Sequence, residues 1–323
     1  MPRLIALIVA VLFASVLGAA SASAQTYPQR AVKFILPFGP GSGVDTTARL
    51  LGDKLATRWG KPVVIENRPG GDGLVSITAF TSANDDHTLL FVPASTFTAH
   101  PYNKDKVPYD AERDLLPIVN VTVIVLAISA PTSLNVKSLA EFVALARAKP
   151  NTLNVAAAAG NSDLIMASFI KKENLPIAKI PYRDIMQAPN DLAEGRIHLL
   201  LASYAAMRPL IQAGKLKMLA VTSRARVGIA PDTPTTAEAG FPFLGIESLI
   251  GLFGQRGMSN ALRARIAADV QAIVKADPTI ATRLAATGQI VDIRGPAEFT
   301  AGIKVMRDQL ADIAKVLGIK PAR

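Results

Sequence analysis

The chain has 323 residues, half of them hydrophobic, 19% charged and 6% aromatic, which excludes a disordered protein and gives enough apolar side chains for one large or two ordinary domains. It carries no cysteine and three widely spaced histidines, so disulfides, thiolate nucleophiles, cysteine zinc sites and iron–sulfur clusters are excluded. A net charge of +10 could signal nucleic acid, but the basic residues are mixed with acids, as in Lys104-Asp105-Lys106 and Glu112-Arg113-Asp114, with no basic helix or basic–aromatic platform; the charge suits small anions equally well.

Met1-Pro2-Arg3 supplies a positive charge, Leu4 to Ala20 is an uncharged and mostly apolar run, and Ala22-Ser23-Ala24 is a small-x-small cleavage site before Gln25. Those three parts in that order predict a secretory signal peptide over 1–24. The alternative is a membrane anchor, which the small and polar residues from Gly18 onward disfavour. No cysteine follows the run, so a lipoprotein anchor is excluded, and removal of Arg3 leaves 34 basic against 25 acidic residues, a net +9. No later segment offers 18 uncharged apolar residues; the longest, Val119 to Ala130, reads as a buried strand.

From there strands and helices alternate. A strand at Val32–Phe38 leads through Pro37-Phe38-Gly39-Pro40-Gly41-Ser42-Gly43-Val44-Asp45 into a helix with Val44, Ala48, Leu51, Leu55 and Trp59 on one face and Gly60 to end it. The glycine-rich loop fits neither phosphate motif. A P-loop needs Gly-Lys where Val44 and Asp45 stand, and a dinucleotide fingerprint needs Gly or Ala where Thr46 stands. A tight turn with no ligand is the plain alternative. The strand Val63–Asn67 precedes a second glycine loop, Asn67-Arg68-Pro69-Gly70-Gly71-Asp72-Gly73, and Thr88–Val92 precedes Pro93-Ala94-Ser95-Thr96-Phe97-Thr98. His87 reads as a solvated loop residue in the turn Asn84-Asp85-Asp86-His87, and His100, just before Pro101, as a loop residue with a role at a pocket rim left open.

Beyond these, Ile118–Ser129 reads as one long strand, and Ser138 with Glu141 forms a capping box ahead of a helix carrying Leu139, Phe142, Val143 and Ala146. Leu153–Ala157, followed by Ala158-Ala159-Gly160-Asn161-Ser162-Asp163, opens a helical stretch at Leu164–Lys172. Strands follow at Ala178–Tyr182, Ile197–Ala202, Leu216–Thr222, Glu247–Phe253 and Ile290–Ile293, with helical stripes at 262–274 and 299–317. His198 reads as a satisfied strand histidine, and Tyr182 and Arg183 either face a ligand or cap a strand. The alternation means parallel or mixed sheets covered by helices, an α/β fold class.

Ligands bind such sheets in the loops after strands, where helix N-termini offer free N–H groups and a partial positive charge. The four loops together describe a small-molecule site of backbone amides and hydroxyls, although Ser, Thr and Asn at helix starts are also ordinary caps. No Gly-x-Ser-x-Gly elbow or His-Glu-x-x-His pair occurs, and Asp72 and Asp163 read as a turn residue and a cap-region residue.

An ordered series of motifs resembles a family. It comprises Tyr27-Pro28, Val32–Pro37, the Gly39–Asp45 loop, Gly60-Lys61-Pro62-Val63-Val64-Ile65-Glu66-Asn67-Arg68-Pro69-Gly70 and Pro108-Tyr109-Asp110-Ala111-Glu112-Arg113-Asp114-Leu115. After these come Ile180-Pro181-Tyr182-Arg183, Ala213-Gly214-Lys215-Leu216, Leu219-Ala220-Val221-Thr222-Ser223, Pro231-Asp232-Thr233-Pro234-Thr235-Thr236-Ala237-Glu238-Ala239-Gly240 and Gly251-Leu252-Phe253. The series covers nearly all of the chain after the leader and resembles the Bug family, substrate-binding proteins of tripartite tricarboxylate transporters.

The resemblance implies a monomeric periplasmic protein, without cofactor, metal or catalytic residue, whose two α/β lobes close like a Venus flytrap over a small organic carboxylate. The closed form would be presented to membrane permease subunits, and nucleic acid is not an expected partner. Lobe one is expected at 25–124 and 246–323 and lobe two at 125–245. The implied ligand-binding residues are Phe38, Gly39, Pro40, Gly41, Ser42, Gly43, Asp45, Ser95 and Thr96 in lobe one. In lobe two they are Ala159, Gly160, Asn161, Ser162, Asp163, Ser203 and Tyr204. Arg68 is the only base in these loops, so helix N-termini and hydroxyls are expected to hold the anion. The sequence departs from the family pattern at Ser203, where many members carry Asp, at Leu249, where many carry Trp, and at Asp184, which replaces a common Gly. The lost acid and ring imply a pocket shaped for something other than an amino acid's ammonium group. An exported hydrolase acting on a small ester or amide, or a protein presenting ligand to a sensor, are the alternative readings.

Overall fold

The computed structural model describes residues 27–158, 160–182 and 185–322, so the expected leader, Ala159, Arg183 and Asp184 lie outside the described residues. In chain order the elements are β1 (Val32–Leu36), α1 (Gly43–Trp59), β2 (Val63–Asn67), α2 (Leu74–Ala83), β3 (Thr88–Pro93), α3 (Ala94–Asn103), α4 (Ala111–Asp114), β4 (Leu116–Ile124) and β5 (Leu126–Pro131). Then come α5 (Leu139–Ala148), β6 (Asn154–Ala157), α6 (Asn161–Lys172), β7 (Ala178–Lys179), α7 (Ala188–Ala193), β8 (Leu199–Ser203), α8 (Tyr204–Gln212) and β9 (Leu216–Val221). The chain ends with β10 (Ser248–Gly254), α9 (Asn260–Ala276), α10 (Thr279–Ala286), β11 (Gln289–Arg294) and α11 (Pro296–Leu317). Among the described residues no helix is long and apolar enough to cross a membrane.

Two mixed sheets result, each flanked by helices, in a two-lobed α/β fold. The first has the order β11-β4-β10-β3-β1-β2 and the second β7-β6-β8-β5-β9. In the first, β1 runs parallel to β2 and β3, while β10 is antiparallel to β3 and β4. In the second, β6 is parallel to β7 and β8, while β5 is antiparallel to β8 and β9. All six residues of β3 are buried, as a strand covered on both faces requires. Helix α1 buries Val44, Ala48, Leu51 and Leu55, starts at a Ser42 hydroxyl that accepts from the Asp45 N–H at 3.2 Å, and stops at Gly60 with φ 64°. That left-handed end favours glycine.

The apolar run expected as one strand is two. Leu116–Ile124 belongs to the first sheet and Leu126–Pro131 to the second, and Val125 between them bonds to both bodies. Its N–H donates to Gly288 O at 3.1 Å, and its carbonyl accepts from the Tyr204 N–H at 2.8 Å. The return strands cross beside it. Thr222 N–H donates to Leu126 O at 3.1 Å, and Ile246 N–H to Thr222 O at 3.0 Å. The Thr222 hydroxyl adds a bond to Ile246 O at 2.9 Å. Away from the crossings, α6 packs on α3 and α11, and one hydrophobic cluster runs continuously from Phe97, Phe253 and Phe299 to Leu164 and Phe169.

Candidate functional site

A cavity of about 600 Å³ opens between the two sheets. The segments that leave the parallel strands form its walls: Pro37 and Phe38 after β1, Gly70 to Gly73 after β2, and Pro93, Ser95 and Thr96 at the junction of β3 with α3. From the second body come Ala158 and Gly160 between β6 and α6, Asn161 and Ser162 in the first turn of α6, Ala202 and Ser203 at the end of β8, and Ala206 in the first turn of α8. The crossings contribute Ile124, Leu126, Ile246, Glu247 and Ser248, and Ile185 and Met186 add a further apolar segment.

The helices that meet here begin in a particular way. Elsewhere, α1, α5 and α9 are capped by the hydroxyls of Ser42, Ser138 and Ser259. Neither α3, which follows Pro93, nor α6, which follows Gly160, has a side-chain cap, and α2, which follows Gly73, has none either. The first amides of a helix lack intrahelical partners, so the starts of α3 and α6 offer N–H groups and partial positive charge to a ligand, whereas at α2 the Gly73 and Leu74 amides already donate to Gly70 O and Gly71 O. Gly160 sits at φ 83° and ψ −133°, a conformation reserved for glycine, which starts α6 without a side chain over its first turn. Ser203 caps α8 loosely, accepting from the Ala206 N–H at 3.4 Å. Asn161 is buried and reaches across to the first body, its Nδ2 donating to Thr98 Oγ1 at 3.4 Å.

Among the described residues, no lysine, arginine or histidine lines the cavity. The two formal charges among the described lining residues are acids with partners. Asp72 pairs with Lys104, and Glu247 receives a two-pronged bond from Arg294, 3.0 Å on each prong, with Arg224 at 3.4 Å.

Of the candidate residues, the fold brings Phe38, Ser95, Thr96, Gly160, Asn161, Ser162 and Ser203 to one cavity, while Gly39, Pro40, Gly41, Ser42, Gly43, Asp45, Asp163 and Tyr204 are not in its lining. The Asp45 carboxylate is spent on structure. It accepts from Gly41 N–H at 2.9 Å, from Arg49 on both oxygens at 3.0 Å and from Asn67 Nδ2 at 2.8 Å. Burial opposes its ionisation, but the Arg49, Asn67 and Gly41 donors outweigh that and hold the carboxyl below its usual range. Gly43 lies under Gln289, whose Nε2 donates to Gly43 O at 2.8 Å. Asp163 pairs with Lys179 at 2.6 Å, and Tyr204 is buried in the second body. Arg68 pairs with Glu66 outside the cavity. Leu249 is buried against Gly302 of α11 and is likewise outside the lining.

The histidines are all engaged elsewhere. His87 is buried rather than solvated, its Nδ1 2.7 Å from Asp86 and its Nε2 accepting from Gln29 N–H at 3.1 Å. His100 is not in a loop: it is fully buried within α3, 2.5 Å from Tyr109 Oη and 3.0 Å from Asp72 O. His198 Nδ1 accepts from Asn154 N–H at 3.0 Å beside the second sheet. Tyr182 donates to Asp191 at 2.6 Å.

The lining residues that the sequence reading missed are mostly apolar: Ile124, Leu126, Ile185, Met186 and Ile246. A strand that changes sheets must pass the gap between them, and that is the signal by which 124–126 and 246–248 could have been found.

A family model described as the tripartite tricarboxylate transporter family receptor matches residues 47–298. Protein BugT of Bordetella pertussis is 30% identical over 308 residues, covering 90% of this chain and 94% of its own. Two solved structures are 26% identical: R. palustris Rpa4515 with adipate, at TM-score 0.76 over 91% of this chain and 99% of that one, and MatC (Rpa3494) from Rhodopseudomonas palustris with bound malate, at TM-score 0.70 over 90% and 99%. With the match spanning most of its length and the two-sheet fold in common, this chain belongs to the tripartite tricarboxylate transporter receptor family, the solute-binding proteins that include the Bug proteins.

Proposed function

We propose that this chain is an exported, periplasmic solute-binding protein that captures a small organic carboxylate between its lobes and delivers it to membrane permease subunits. The observation that carries the reading is the meeting of uncapped helix starts, α3 from the first sheet and α6 from the second, in one cavity. A carboxylate there would take N–H groups and hydroxyls from both bodies at once, with Phe38, Ser95, Thr96, Gly160, Asn161, Ser162 and Ser203 as contacts. Each helix terminus favours an anion by about 0.3–1 kcal/mol. The lobes are 25–124 with 246–323, and 125–245, and 1–24 is the cleaved leader. The sheet memberships of β4, β5, β9 and β10 support those limits. Binding, not catalysis, is the output, a reading supported by the engagement of the histidines outside the cavity.

The test is a thermal-shift screen of the mature chain against mono-, di- and tricarboxylates, aliphatic and aromatic, followed by calorimetry on the hits. A ligand that binds only the native state at a hundredfold excess over its Kd contributes about 2.7 kcal/mol of stability. Saturable 1:1 binding of a carboxylate without turnover supports the reading. Turnover of an ester or amide would replace it.

A further inference from the structure

The wall chemistry narrows the ligand further, an inference that rests on the solute-binding reading above. The donors are gathered at the starts of α3 and α6 and at Ser203, because at the third uncapped start, α2, the Gly73 and Leu74 amides already donate to Gly70 O and Gly71 O; Phe38, Ile124, Leu126, Ile185, Met186 and Ile246 make much of the remaining wall. One carboxylate presents two oxygens with about four acceptor sites, a number that two helix starts and a hydroxyl can satisfy. Among the described residues, a second carboxylate would have only the neutral Asn103 and Ser248, the apolar side chains, at the cost of stripping water from a charge, or the neighbourhood of Asp72 and Glu247, whose cations are already paired. Those acids offer no free partner to a ligand cation either, since Lys104 and Arg294 already hold them. The volume of about 600 Å³ falls well inside the roughly 300–1,000 Å³ range of pockets that enclose drug-sized molecules.

We propose that the site selects a monocarboxylate with a neutral, apolar body and discriminates against the matching dicarboxylate. The carboxylate seats at the starts of α3 and α6, and the body lies along the crossing strands and the Ile185–Met186 segment. The discrimination is built from what the walls lack as well as from what they offer.

The experiment is calorimetric titration of the mature chain, unfolded and refolded to strip bound ligand, with matched pairs. Butanoate through decanoate are each paired with the diacid of equal length, hexanoate with adipate among them, and 4-methylbenzoate is paired with terephthalate. The expected result is that the tightest binder of the panel is a monoacid and exceeds its own diacid at least tenfold. A diacid as tightest binder, or a tightest pair whose members bind within tenfold of each other, overturns the inference and leaves the solute-binding reading standing. Binding by no member of the panel overturns both.

Discussion

Gly73 shows how closely the cavity is built at the level of one residue. It has φ 97°, and a Cβ added there would lie 2.5 Å from Thr96 Cγ2, inside the cavity wall. The left-handed backbone alone costs a residue with a Cβ about 1–2 kcal/mol. Gly73→Ala is therefore expected to lower stability by at least that amount in urea unfolding and to weaken ligand binding, because Thr96 must move. The second residue-scale prediction separates amides and hydroxyls from formal charge. Ser95→Ala and Ser162→Ala should each weaken carboxylate binding by about 1.5–3 kcal/mol, the worth of a hydrogen bond to a charged group. Arg68→Ala should leave affinity unchanged, since Arg68 pairs with Glu66 away from the cavity. Loss of binding in Arg68→Ala alone would sink that assignment. The polar part of the cavity wall was legible in sequence because Ser, Asn and Gly in loops after strands stand out from a core. The apolar part was not: Leu126 and Ile246 have the same chemistry as any buried strand residue. Asp45 looked like a site residue for the same reason that it is a structural one, an acid in the first turn of a helix that follows a glycine loop.

Helix α3 carries the strongest case at the scale of elements. Its first turn lines the cavity through Ser95 and Thr96, and its His100 ties it to the Gly70–Gly73 loop through Asp72 O and to Tyr109. Burial holds the His100 ring below its ordinary value of 6.5, with Lys104 nearby pushing the same way and the Asp72 carbonyl and carboxylate opposing. The unfolded chain thus takes up this proton first. The stability contributed by neutral His100 is fully present above about pH 6.5 and is lost as pH falls through the lower folded-state value. Melting temperature should therefore drop on acidification below pH 6.5, and the drop should be smaller in His100→Gln, which cannot titrate. Ligand affinity should fall over the same range, because both of the segments that His100 joins line the cavity. Identical acid profiles for the two proteins would remove His100 from this role. The helix itself was partly hidden in the sequence. Proline is costly inside a helix, so His100-Pro101 reads as a boundary, yet α3 accommodates Pro101 with only Tyr102 and Asn103 remaining before its end. The alternation of strands and helices was legible because buried parallel strands are continuously apolar. The break at Val125 was not, since residues on either side of it are equally apolar and nothing in that pattern tells which sheet a strand joins.

At the scale of the whole molecule, the two bodies are joined in two ways that differ mechanically. The crossing segments form a narrow hydrogen-bonded strip, Val125 with Gly288 and Tyr204, and Leu126 with Thr222 and Ile246. The face of α6 against α3 and α11 is a packed hydrophobic seam. A rotation between the bodies can be absorbed by a few backbone angles in the strip, whereas the seam, packed like any core, permits small sliding of helices rather than separation. The motion that fits both is a hinge closure of moderate size that narrows the cavity while the seam stays shut. A ligand held by Ser95 and Thr96 on one body and by Asn161 and Ser162 on the other drives it only through contacts made better in the closed form, since equal affinity for both forms shifts nothing. Small-angle scattering of the mature chain should therefore show a modest decrease in radius of gyration on saturation with a confirmed carboxylate. Gly288 offers a way to perturb it. This residue lies in the first body at φ 74°, and a Cβ there would approach Ala205 of α8 in the second to 2.7 Å. Gly288→Ala should wedge that contact, shift the balance between forms and change the apparent affinity without altering any residue of the lining. A radius of gyration that stays constant at saturation, with Gly288→Ala binding as the native chain does, would rule out closure as the output of binding.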